Sequence, residues 1–107
     1  MDERTAQILR DLHTELARLY GPRLRNVILF GSAARGEQRE GSDLDVAMVL
    51  SDFERPWPEV QRTGQLVSDL SLRYGLTISL LPIRERALRE QATPLTRRIA
   101  REGVVAS

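Results

Sequence analysis

The sequence predicts a small α/β fold, an α+β two-layer arrangement of helices packed on a mixed β-sheet. Three observations lead there. Apolar residues recur at the helical period over residues 8–19 and again over residues 60–72. Three short runs rich in Val, Ile and Leu, at residues 27–30, 43–50 and 76–81, read as strands. The resulting order (helix, strand, short helix, strand, helix, strand, helical tail) alternates within 107 residues, a length that suits one domain spanning 1–107.

Each element has its own local reason. Asp2 and Glu3 begin the first helix, where the helix dipole favours acids. Ile8, Leu9, Leu12, Leu16 and Leu19 form its apolar stripe, and Gly21-Pro22 stops it. Val27, Ile28, Leu29 and Phe30 are all apolar and read as a buried strand. That strand runs into Gly31-Ser32-Ala33-Ala34-Arg35-Gly36, a small-residue turn leading to a short helix, and charged residues 37–40 then form a surface connection. In the second strand, Leu44, Val46, Met48 and Leu50 alternate with Asp43, Asp45, Ala47 and Val49. A loop with Pro56 and Pro58 precedes a helix over 59–74 carrying Val60, Leu66, Val67, Leu70 and Leu72, closed by Gly75. The third strand, 76–81, should end at Pro82 and give way to a helical stretch over 83–90. Thr93-Pro94 opens a last helix over 95–102, and residues 103–105 can add a brief terminal strand.

Composition removes whole classes of chemistry. There is no cysteine, so no disulfide, thiol nucleophile or thiolate metal site. There is no lysine, so no Schiff base and no P-loop lysine. His13 is the single histidine and cannot build a histidine zinc cluster. No run of about 18 apolar residues is present, and the acidic start is unlike a secretory signal, so no membrane role and a cytoplasmic location are expected. A formal charge of +1 gives no reason to expect direct nucleic-acid binding.

Two elements can carry chemistry. Gly31-Ser32 stands where an apolar strand turns into a helix, and such a turn offers backbone N–H groups, a close backbone approach and a hydroxyl to phosphate. Asp43-Leu44-Asp45 sends two carboxylates to one strand face, roughly 6–7 Å apart at Cα. Paired carboxylates with substrate phosphates are a usual Mg²⁺ arrangement, while the plainer reading is two solvating acids at a strand start.

Taken together, Gly31-Ser32-Ala33-Ala34-Arg35-Gly36 and Ser42-Asp43-Leu44-Asp45 resemble the signature of the polymerase-beta-like nucleotidyltransferase superfamily. The helix over 59–74, the strand over 76–81 and the ending Ile99-Ala100-Arg101-Glu102-Gly103-Val104 are similar to its small bacterial members, the minimal nucleotidyltransferases. The resemblance implies that Gly31, Ser32 and Ser42 hold the nucleotide, that Arg35 either supports the signature turn or joins them in binding the nucleotide's phosphates, and that Asp43 and Asp45 are catalytic and bind Mg²⁺. It implies ATP or another NTP as substrate, attack by an acceptor hydroxyl on the α-phosphate, and a helical HEPN-type toxin, or a second copy, as partner.

One departure from the pattern stands out. Active members of the superfamily carry a third carboxylate on the next strand. Leu76, Ile78 and Leu80 read as core-facing here, which leaves Thr77 and Ser79 on the carboxylate face, with Ser79 in the expected position. Two readings therefore stay open: AMP transfer to a partner's hydroxyl, or a weak or inactive module that neutralises its partner by contact. Glu37, Glu40, Asp52 and Glu54 read as surface acids, His13 as a helix-surface residue, and Trp57 as a loop anchor. Residues 1–80 hold 10 arginines and 12 acids, and residues 81–107 hold 6 arginines and 3 acids. Arg84, Arg86, Arg89, Arg97, Arg98 and Arg101 thus form either a solvated face, with pairs such as Arg86–Glu90, or a docking surface.

Overall fold

The computed structural model describes residues 1–37 and 43–106. Five helices pack on a four-stranded mixed sheet: α1 (Glu3–Tyr20), β1 (Leu24–Phe30), α2 (Gly31–Ala34), β2 (Leu44–Leu50), α3 (Pro56–Tyr74), β3 (Ile78–Arg84), α4 (Glu85–Glu90), α5 (Pro94–Glu102) and β4 (Val104–Val105). The strand order is β3-β2-β1-β4. β1 pairs antiparallel with both β2 and β4, whereas β2 and β3 are parallel and joined through α3.

Two apolar layers clasp the sheet. Leu44, Val46, Met48 and Leu50 meet Ile8, Leu9, Leu12 and Leu16 of α1 and Leu70 of α3. On the opposite face Ala47 and Val49 pack with Ile28, Phe30, Ile83 and Ile99, so α4 and α5 cover the side that carries Asp45. β2 is thus buried on both faces, which explains why its two alternating sets are both apolar after Asp45. No helix among the described residues is long and apolar enough to cross a membrane.

Several expectations need correction. Leu19 is exposed, and Tyr20 takes its place in the stripe. Steps of four from Leu12 and Leu16 lead to residue 20, and the Tyr20 hydroxyl finds a carboxylate there. Leu72 is 80% exposed because it stands about 200° around the helix from the buried Leu70. α3 begins at Pro56, not Glu59: Pro56 and Pro58 occupy its first and third positions, where the missing N–H groups would have no intrahelical acceptor. Trp57 therefore lies in the first turn of a helix and is 64% exposed, so it anchors no loop onto the domain. Pro82 does not end β3, which runs on to Arg84. Because β3 is an edge strand, a residue without an N–H costs it no ladder partner on the outer side.

A polar latch joins the end of α1 to the start of α3. The buried Tyr20 hydroxyl donates to Glu59 Oε1 at 3.0 Å, and Arg62 lies 3.4 Å from the same oxygen. Burial, aided by Glu59, pushes the Tyr20 phenol up to about 12. The folded state thus keeps the neutral phenol while the unfolded chain ionises near pH 10. The resulting stabilisation is complete below pH 10 and is lost as pH rises toward 12. Tyr20→Phe should cost about 1.5–3 kcal/mol at pH 7 in urea unfolding, from the loss of a buried hydrogen bond to a carboxylate. It should also flatten the stability loss between pH 10 and 11.5. Tyr74, raised mainly by its bond to Asp11, titrates in both proteins, so the difference between them is the readout.

Candidate functional site

The C-terminal end of β1 and the N-terminal end of β2 meet at one edge of the sheet. Phe30 pairs with Asp45 in the antiparallel ladder, which sets Gly31 directly against the Asp45 side chain. Gly31 has φ +74°, a left-handed conformation, and a Cβ there would lie 2.5 Å from Asp45 Oδ2. Both facts demand glycine: one through backbone sterics, the other through the space the carboxylate occupies.

α2 starts at Gly31, so the N–H groups of its first turn have no intrahelical acceptor. The next donors are already used, since Arg35 N bonds Gly31 O at 3.2 Å and Glu37 N bonds Ser32 O at 2.9 Å. The turn is therefore closed on itself and leaves its first-turn amides, with the half-buried Ser32, beside Asp45.

Asp43 is exposed just ahead of β2, and Asp45 is half-buried inside it. Leu44 N bonds Thr77 O at 2.9 Å, which ties the carboxylate pair to the approach to β3. In the parallel ladder Asp45 stands opposite Ser79, so the exposed Ser79 occupies the neighbouring position on the same face. The sequence reading that sets Ser79 on the face of Asp45 agrees with this register. Ile78 is buried in the α1–α3 layer, with Leu76 and Leu80 packed against it.

Two carboxylates at the start of β2, Asp43 exposed ahead of the strand and Asp45 beside the glycine turn, suit a hard divalent cation that keeps water and phosphate ligands. No group of three or more acid, histidine or cysteine side chains stands together among the described residues. The other acids do not fill the gap. Glu37 pairs with Arg35, Asp52 pairs with Arg84 at 3.3 Å beyond the far end of β2, and Glu54 lies in the same distant loop. Ser42 and Glu40 lie outside the described residues.

Arg35 is engaged by two carboxylates, Glu37 at 3.1 Å and Glu102 of α5 at 3.0 Å. The Glu37 hydrogen bond is the leading cause that raises its pKa, so its charge is secure. Glu102 also accepts from Arg98 at 2.7 Å, and this bond, with Arg35 adding to it, lowers the Glu102 pKa. Glu102 thus bridges α5 to the signature turn. Sequence reasoning missed it: 67 positions separate it from Arg35, and no local pattern marks an acid as the partner of a distant arginine. The arginine-rich tail divides. Arg86–Glu90 forms as expected at 2.9 Å, Arg98 serves Glu102, and Arg84 turns away to the loop after β2.

Comparison with known proteins agrees with this geometry. The family model described as a nucleotidyltransferase domain matches residues 9–105. A Methanocaldococcus jannaschii protein whose assigned name is protein adenylyltransferase is 33% identical over 73 residues, covering 68% of this chain and 73% of the relative. A second so named from the same organism is 30% identical over 73 residues, covering 68% and 67%. Among solved structures, a minimal nucleotidyltransferase is similar with a TM-score of 0.59 at 28% identity, covering 97% of this chain and 95% of that one. A toxin–antitoxin structure with AMP-PNP reaches a TM-score of 0.66 at 23% identity, covering 92% and 72%, a likeness of fold. So does a complex of tri-AMPylated Shewanella oneidensis HEPN toxin with its MNT antitoxin, at a TM-score of 0.59 and 20% identity, covering 95% and 71%.

Proposed function

The chain belongs to the nucleotidyltransferase domain family, and from that premise we propose that it transfers AMP from ATP to a hydroxyl of a partner protein, with Mg²⁺, as the antitoxin of a HEPN-type toxin. The observation that carries this reading is the placement of Asp45 between the Gly31 turn and the Ser79 position at one end of the sheet. The names of the relatives support an adenylyl group and a protein acceptor. The toxin–antitoxin neighbours support ATP as donor and a helical partner.

The chain's own groups have distinct tasks in this reaction. The amides at the start of α2 and the Ser32 hydroxyl receive the phosphates, and Gly31 admits them without a side chain in the way. Asp43 and Asp45 would hold the divalent ion, which would supply Lewis-acid relief of the charge that builds up at the α-phosphate. The acceptor oxygen forms a bond to the α-phosphorus, the bond to the bridging oxygen breaks, and pyrophosphate leaves from the Gly31 side. In-line geometry then brings the acceptor from the β3 side, past Ser79 and Thr77. Ser79 offers no carboxylate, so the hydroxyl proton goes to the Asp43–Asp45 pair or to water.

Incubation with a candidate helical partner, Mg²⁺ and α-labelled ATP should label the partner. Asp43→Asn together with Asp45→Asn should reduce the signal at least about 100-fold, the scale on which transition-state charge stabilisation is lost. Labelling that survives both changes sinks the reading. The serine at position 79 favours a second reading, neutralisation by contact alone. In that case the doubly substituted protein still protects cells from the toxin while labelling nothing.

A further inference from the structure

At the far end of β2, roughly 20 Å from Asp45 for six residues of strand, lies a second polar feature. It is a cleft of about 300 Å³ lined by three arginines (Arg23, Arg55 and Arg62), two acids (Glu54 and Glu59), Phe53 and Pro58. Arg23 and Arg62 hold their guanidinium carbons 5.4 and 5.7 Å from the Tyr20 ring centroid, so one aromatic ring contacts two of the cations that line the cleft. Among the described residues each makes a single side-chain hydrogen bond, Arg23 to Asp52 O at 2.9 Å and Arg62 to Glu59 at 3.4 Å, which leaves most of their N–H donors unused there. Arg55 makes no hydrogen bond, ion pair or ring contact among the described residues.

The cleft is pre-arranged. Arg84 bonds Phe53 O at 2.9 Å and Glu54 O at 2.7 Å and lies 4.5 Å from the Phe53 centroid, which pins the loop on the rim. Glu59, the buried carboxylate at its floor, is already occupied by Tyr20 and Arg62. The 19-residue helix α3 begins at this rim and adds the positive end of its dipole. Three guanidinium forks around a small cleft, only one of them answered by the buried acid, match the oxygen geometry of phosphate.

We propose that this cleft is an anion site, separate from the Asp43–Asp45 end, that takes the phosphate or polyphosphate group of a small ligand. Two features make it testable. Trp57 is the only tryptophan of the chain and stands between the lining residues Arg55 and Pro58 in sequence, so any fluorescence change on binding is assigned to one residue next to the cleft-forming segment. Arg55 has no side-chain partner among the described residues, so replacing it should leave the fold intact.

The intact protein is titrated with orthophosphate, tripolyphosphate and ATP in EDTA at constant ionic strength, by Trp57 fluorescence and by calorimetry. Tripolyphosphate should bind saturably. Arg55→Ala should weaken it at least about 10-fold, the loss expected for one charge-assisted contact, without moving the melting temperature. Asp43→Asn with Asp45→Asn should leave binding unchanged even if adenylyl transfer is lost, which keeps this test independent of the proposed reaction. ATP tighter than tripolyphosphate identifies a nucleotide as the source, and equal affinity identifies the phosphates alone. No saturable binding, binding indifferent to Arg55→Ala, or binding abolished by the aspartate changes overturns the proposal.

Discussion

Gly31→Ala should reduce adenylyl transfer at least about 100-fold while costing only about 1–3 kcal/mol of stability, the range for a non-glycine residue held in a sparsely populated backbone region. The two effects have different origins. The backbone at φ +74° is strained by any Cβ, and that strain is the stability cost. The new methyl would also fall 2.5 Å from Asp45 Oδ2, the far end of a side chain that can rotate. Rotation is cheap for the fold, but it moves a carboxylate of the proposed metal site, and a displacement near 1 Å can cost about 100-fold in rate. Circular dichroism and urea unfolding separate the two. In an Asp45→Ala background, where nothing is left to displace, Gly31→Ala should still cost the same stability. Full activity in a folded Gly31→Ala protein would show that Asp45 does not depend on this contact.

The carboxylate pair, the glycine turn and even the serine beside them were legible in the sequence because each follows from local rules. Alternation predicts one face for Asp43 and Asp45, and in the next strand it leaves Ser79 outward while Ile78 goes to the core. A strand–helix–strand crossover makes β2 and β3 parallel, whereas the register that sets Ser79 opposite Asp45 is set by the packing of the two strands. What escaped depends on where an element sits rather than on what it contains. Pro82 stops a strand only if that strand is interior, and nothing local says that β3 lies at an edge. Pro56 and Pro58 read as a loop unless they fall within the first turn of a helix, where a lost N–H is harmless. The Glu102 bridge to Arg35 and the gathering of Arg23, Arg55 and Arg62 are contacts between distant segments. A count of charges along the chain placed the basic surplus in the tail and could not register a basic cleft formed within an acidic-leaning body.

Ser79→Asp should tighten Mg²⁺ binding about 10-fold or more, a gain of about 1.4 kcal/mol or above, and should raise adenylyl transfer by a comparable factor if the protein is an enzyme. Ser79 is exposed and faces Asp45 across neighbouring strands about 4.8 Å apart, so a longer side chain fits without disturbing the core. In the absence of metal, two carboxylates about 5 Å apart repel by about 1 kcal/mol in a water-like medium and several-fold more where solvent is partly excluded. The variant should therefore melt lower than the parent in EDTA and recover when Mg²⁺ is added, because a cation shared by three acids turns the repulsion into coordination. Ser79→Asn, similar in size but neutral, controls for volume and should do neither. Magnesium affinity is the decisive readout, since it tests the geometry whichever function holds. An unchanged affinity would place Ser79 outside the metal site. A tighter site without faster transfer would locate the missing element elsewhere than in the third carboxylate and favour neutralisation by contact.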